Sequence, residues 1–226
     1  MKTYIELINN SKLINMVQEN DNGTRKEKLI TIEDFVSSVT SSLDGKKKFV
    51  EIKSPLFREL KGCKLIQYKT VGPKATNYVL LGKKHRTPML LFNRFYDNVG
   101  IPNLLYCVHV VNNRLSKINV VAVKNENINA DTQLYFYPFT NVSSDTMACI
   151  GRNTFSPGIE DNDCKELYNV PNQFMSMPNN LDYYKATNNT KCYECEELIK
   201  YLIDKDFDDS LLVENDLTYS EWFDKL

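Results

Sequence analysis

The chain has 226 residues, 42% of them hydrophobic and 25% charged, and its 28 Lys and Arg against 29 Asp and Glu leave a net charge of −1. That is enough apolar material for a buried core, and a near-neutral chain carries no general positive field for coating phosphate backbones. No apolar run approaches the ~20 residues of a membrane helix and no secretory leader is recognisable, so a cytoplasmic protein without membrane association is expected.

Tyr4 to Ile8 and Leu13 to Val17 alternate loosely and read as short strands ahead of the polar turn Glu19-Asn20-Asp21-Asn22-Gly23. Thr31 and Asp34 resemble a capping box. Ile32, Phe35, Val36, Val39 and Leu43 recur at helical spacing, which predicts a helix with one buried face that stops at Asp44-Gly45. Lys46-Lys47-Lys48 then reads as a solvated helix end. Further strands are expected at Lys64 to Thr70, Asn77 to Leu81, Met89 to Phe92, Leu104 to Val111, Leu115 to Val123 and Gln133 to Tyr137. Asn112-Asn113 is a hairpin signal, because Asn tolerates positive φ. The nearly unbroken apolar run from Leu104 to Val111 predicts a central strand covered on both faces, with His109 packed inside it. Beyond Phe155 comes a turn-rich stretch, Ser156 to Asp163. Aromatic and Met-containing segments follow around Phe174-Met175 and Tyr183-Tyr184. Cys192, Cys195, Leu198, Ile199 and Leu202 then predict a second helix over 191–204, and an acidic tail runs from Asp204 to Leu226 with Trp222 in it.

Six cysteines without a secretory leader are expected to be reduced thiols. Two histidines, His85 and His109, are too few for a His-rich metal centre and leave little for a Cys-His or Ser-His-Asp arrangement, so no metal and no cofactor is expected. Cys192-Tyr193-Glu194-Cys195 has no second pair to complete a zinc site, and both thiols read as packing groups on the apolar stripe. Cys149 differs. A strand ends at Pro138, and a polar excursion delivers this thiol next to Gly151. Asn141, eight residues earlier, could fold back over the loop and offer its amide to an oxyanion formed at the sulfur. An ordinary cysteine, with a pKa of about 8.5, already attacks an activated thioester without a dedicated base.

This stretch resembles the active-site region of ubiquitin-conjugating (E2) enzymes, in which a His-Pro-Asn motif precedes the catalytic cysteine with the same spacing from Asn to Cys. Here Phe139-Thr140-Asn141 stands in place of His-Pro-Asn, and Cys149-Ile150 stands where the family has Cys-Leu. More specifically, the chain resembles prokaryotic E2 family D, a group that includes PRTRC system protein B. The resemblance covers most of the chain: the hairpin from Pro102 to Val123, the element from Leu134 to Val142, Cys149-Ile150-Gly151-Arg152-Asn153, Phe174-Met175-Ser176 and a C-terminal helix. Where relatives carry a His after that aromatic segment, this chain has Pro178-Asn179-Asn180.

The resemblance implies an α+β, UBC-like fold, an antiparallel β-meander flanked by helices, with an N-terminal extension of strands and a helix over residues 1–48. The E2-like domain would then span 49–226, including the C-terminal helix and acidic tail. It also implies Cys149 as the thioester-bearing residue with Asn141 beside it, a ubiquitin-like protein as cargo, and an E1-like, ThiF-type adenylating enzyme as donor, in a plasmid or mobile-element setting. The alternative is a module that keeps the fold and only docks such a partner. A nucleic-acid patch at Lys46-Lys47-Lys48 and Lys83-Lys84-His85-Arg86 lacks the interleaved aromatics of single-strand binders, and nucleic acid is not expected as a partner.

Overall fold

The computed structural model describes residues 2–7, 12–44, 62–71, 74–151, 155 and 166–226. The Lys46-Lys47-Lys48 run, Arg152-Asn153, the turn-rich stretch 156–163 and Cys164 lie outside the described residues. The chain forms two compact units, residues 1–53 and 54–226.

In the first unit, strands β1 (Lys2–Leu7), β2 (Leu13–Glu19) and β3 (Arg25–Thr31) pair antiparallel in that order. Gly23, at φ +80°, makes the turn between β2 and β3, a conformation that glycine adopts without steric cost. Strand β3 has no sequence signal, because Arg25-Lys26-Glu27-Lys28 lacks apolar alternation. It forms because it pairs with β2 along its whole length. Helix α1 (Ile32–Asp44) starts as the capping residues predict, the Asp34 N–H donating to Thr31 Oγ1 at 3.0 Å. Its expected burial is not observed: Ile32, Val36 and Val39 are exposed. Helical spacing decides which side chains share a face, and burial of that face depends on packing that spacing does not encode.

The second unit is built on a six-stranded antiparallel sheet. Its strands are β4 (Cys63–Thr70), β5 (Ala75–Gly82), β8 (Asn103–Val111), β9 (Arg114–Val123), β10 (Gln133–Tyr135) and β11 (Glu214–Thr218), in the order β11-β10-β9-β8-β5-β4. A separate hairpin, β6 (His85–Leu91) and β7 (Arg94–Ile101), is inserted between β5 and β8. β8 lies between β5 and β9 with every residue but Val111 buried, as its apolar run predicts. Asn112 and Asn113 turn the chain into β9 at φ +51° and +60°. Alternation along β8 sends Tyr106 and Val108 to one side, against Phe139, Phe174, Leu198 and Leu202. Leu105 and Cys107 go to the other, against Val121, Val123, Trp222 and Phe223. Helices α2 (Val170–Met175) and α3 (Cys195–Leu202) pack on the first side and α4 (Tyr219–Lys225) on the second.

Five expectations change. The strand expected at Met89 to Phe92 is the end of β6, Phe92 being a turn residue at φ +53°, and its partner β7 carries no periodic signal. The strand expected over Gln133 to Tyr137 stops at Tyr135. The second helix is shorter than 191–204: Glu194 caps it in a reciprocal box with Glu197. Cys192 precedes it, exposed and at φ +52°, so only Cys195 of the pair lies on the buried stripe. The acidic tail folds into β11 and α4, and Trp222 is buried. The β6-β7 hairpin is seated closely on segment 203–209. A Cβ at Gly100 would meet the Lys205 carbonyl and lie 2.8 Å from Phe207 N, so only glycine fits there.

Candidate functional site

β10 is short because the sheet edge changes hands. Past Tyr135, the edge of β9 is taken by residues 146–148: Val120 N–H donates to Thr146 O and Ala148 N–H to Ile118 O, both at 2.8 Å. Residues 141–149 thereby close into a small hairpin. Cys149 N–H donates to Asn141 O at 2.7 Å, Ser143 N–H to Met147 O at 2.9 Å and Thr146 N–H to Ser143 O at 2.9 Å. The eight-residue spacing from Asn141 to Cys149 is therefore the register of a closed loop. Its two corners, Asn141 at φ +67° and Thr146 at φ +71°, are left-handed. The Cys149 side chain is exposed.

Asn141 and Cys149 thus meet through the main chain. The Asn141 side chain, 7% exposed, donates its amide to Pro178 O at 3.1 Å and Asn179 Oδ1 at 3.3 Å, which occupies both of its N–H groups. Asn179 is the residue of this arrangement that the sequence did not single out. Its Oδ1 also accepts from Thr140 Oγ1 at 2.6 Å, and its Nδ2 donates to Met177 O at 3.2 Å. Its main chain pairs with the β6-β7 hairpin, donating to Leu90 O and accepting from Phe92 N–H, both at 2.7 Å. One buried asparagine ties the first corner of the thiol loop to that hairpin. Its signal in the sequence was its position in Pro178-Asn179-Asn180, just after Phe174-Met175-Ser176.

Among the described cysteines, Cys149 and Cys192 are exposed, whereas Cys63, Cys107 and Cys195 are buried. Burial pushes the Cys107 thiol up to about 12. Burial, with Glu194 and Glu196 adding, does the same for Cys195. Neither is a nucleophile at neutral pH. The histidines are engaged elsewhere: His85 Nδ1 lies 2.7 Å from Lys83 O, and His109, 4% exposed, sits in a buried chain of polar groups. Its Nδ1 is 2.8 Å from Asn77 Oδ1 and its Nε2 is 2.9 Å from Asn119 Oδ1. Asn77 Nδ2 donates to Leu226 O at 3.1 Å. At the other end, Thr146 Oγ1 lies 3.0 Å from Asn119 Nδ2 and 3.0 Å from Trp222 Nε1. Burial, with the Lys117 charge adding, lowers the His109 pKa to about 4, so the ring is neutral at pH 7. A neutral ring donates from one nitrogen only. A half-turn of one facing amide, which exchanges its oxygen and nitrogen in place, then gives the other ring nitrogen a donor.

Among the described residues, three cations of the Lys83-Lys84-His85-Arg86 cluster pair with carboxylates: Lys83 with Glu126 at 3.5 Å, Lys84 with Asp209 at 2.8 Å and Arg86 with Asp206 at 2.9 Å. Paired charges of this kind leave little net field. Among the described residues, no helix is long and apolar enough to cross a membrane.

A mostly antiparallel sheet with few helices and an exposed cysteine beside an asparagine corner is consistent with an E2-like protein. Residues 58–214 match the family model of prokaryotic E2 family D, and the chain belongs to that family. The match takes in the thiol hairpin and Asn179 and ends at the first residue of β11. No curated protein and no solved structure matches the chain.

Proposed function

We propose that the protein is an E2-like carrier that holds a ubiquitin-like protein as a thioester on Cys149. An E1-like, ThiF-type adenylating enzyme supplies that protein as a thioester on its own cysteine. The Cys149 sulfur attacks the thioester carbonyl, the new S–C bond forms as the donor S–C bond breaks, and the thiol proton of Cys149 is released as the donor thiol regains one. The acyl group then passes to an amine or another thiol. Exchange between thiols needs no dedicated base, which suits a site whose two histidines are engaged elsewhere. The observation that carries this reading is the exposed Cys149, held at the Asn141 carbonyl by a 2.7 Å hydrogen bond within the family-matched region. In this reading residues 49–226 form the E2-like domain and residues 1–48 an extension to it.

One observation favours a second reading, a module that docks such partners without turnover: the Asn141 amide is spent on Pro178 and Asn179 and has no N–H left for an oxyanion. Incubation with the cognate E1-like enzyme, ubiquitin-like protein and Mg·ATP separates the two. The carrier produces an adduct of one ubiquitin-like protein that dithiothreitol removes and that Cys149→Ala abolishes. Stable binding without such an adduct, the same in wild type and Cys149→Ala, establishes the docking module.

A further inference from the structure

Thr146 occupies a corner that its residue type disfavours. A β-branched side chain at φ +71° is crowded, and turns that need this conformation normally use Gly or Asn. What holds it is the hydroxyl, which lies 3.0 Å from Asn119 Nδ2 and 3.0 Å from Trp222 Nε1 in surroundings where all three residues are buried. Trp222 belongs to α4, which lies beyond the family-matched span of 58–214. α4 is itself anchored. Tyr219 N–H donates to Thr132 O at 2.9 Å and Ser220 N–H to Ala130 O at 3.0 Å, Tyr219 OH reaches Gln67 at 2.8 Å, and Lys69 sits over the Phe223 ring.

We infer that Thr146 is a positioning residue for Cys149, and that α4 sets the thiol's place through the indole N–H of Trp222. The corner lies three residues before the thiol. Its carbonyl accepts from Val120, and the next pairings, Ala148 to Ile118 and Cys149 to Asn141, follow from it in register. A strained corner relaxes when the group holding it is removed, and the thiol backbone two pairings away loses its fixed place. The inference rests on Cys149 being the carrier proposed above.

Thr146→Val keeps the shape and removes the acceptor, Thr146→Ser keeps the acceptor, and Trp222→Phe keeps an apolar ring without the N–H. The readouts are hydrogen exchange of the Cys149 amide and iodoacetamide alkylation of Cys149, with the exposed Cys192 as internal reference. Thr146→Val and Trp222→Phe are expected to speed Cys149 amide exchange by about tenfold or more and to change the Cys149-to-Cys192 alkylation ratio by about threefold or more, while Thr146→Ser stays within about twofold of wild type. A lower melting temperature with both readouts unchanged means a merely structural role and overturns the inference. So does an equal change in Thr146→Ser. If Thr146→Val does not fold, Trp222→Phe against Thr146→Ser decides. Failure of wild type to form a dithiothreitol-sensitive adduct defeats the carrier reading and leaves the exchange result standing by itself.

Discussion

Strand β8 and the hairpin 141–149 are both antiparallel pairings in the same unit, and they are held by different means. β8 pairs with β5 on one side and β9 on the other, and apolar side chains cover both of its faces. Most of its residues add apolar contacts of the same kind, with His109 as a buried polar exception between Asn77 and Asn119, so its course rests on many contacts together. The hairpin has three main-chain bonds of its own, and its two corners are fixed by side chains from distant parts of the chain: Asn179 at Asn141, and Asn119 with Trp222 at Thr146. In the strand, stabilisation is spread over many apolar contacts. In the hairpin, control over the position of one thiol is concentrated in a few polar atoms.

The largest effect should come from the strand and leave the thiol alone. Leu104→Ala, at a fully buried position in the cluster that does not include Trp222, is expected to cost about 2–5 kcal/mol in a chemical denaturation series. In the folded protein the Cys149-to-Cys192 alkylation ratio stays at the wild-type value, and a ratio that moved with the core mutation would erase the contrast. Asn179→Ala should show the opposite balance. It removes the acceptor of the Thr140 hydroxyl and of the Asn141 amide, a loss of about 1–3 kcal/mol, and the alkylation ratio shifts with it.

The smallest effect is expected from pH. Burial holds the His109 pKa at about 4, below the ordinary value of 6.5, so the folded ring binds fewer protons than the unfolded one between these limits. Stability is therefore full above pH 6.5 and declines as the pH falls toward 4. Urea midpoints should show a loss on the order of 1 kcal/mol from pH 7 to pH 5 after allowance for solvent screening. His109→Gln is expected to flatten that slope, and an unchanged slope in the variant would assign the pH dependence to other groups.

Much of the frame was legible in the sequence. The β8-β9 hairpin followed from an apolar run and the Asn112-Asn113 pair, the start of α1 from Thr31 and Asp34, and the interest of Cys149 from its spacing to Asn141. β3, β7 and β11 were not legible. Arg25-Lys26-Glu27-Lys28 and Glu214-Asn215-Asp216 carry no strand pattern and become strands because an open edge lies beside them. Cys192 looked like a stripe residue by its spacing to Cys195, yet the Glu194 cap starts the helix after it. At the site, the pair Asn141 and Cys149 was visible, but the use of the Asn141 amide was not, because its acceptors lie 37 and 38 residues away.

The sequence by itself determined the resemblance to prokaryotic E2 family D, the apolar central strand and the choice of Cys149, the last two from residues close together in the chain and the first from a series of short local motifs. Only the tertiary structure decided that Asn141 serves as a corner holding the Cys149 backbone. It also decided that Asn179 fixes that corner and that Thr146 is held through Trp222. Hydrogen bonds are directional and short, so which polar atoms meet depends on where the folded sheet and helices place remote segments, a matter that local pattern does not encode.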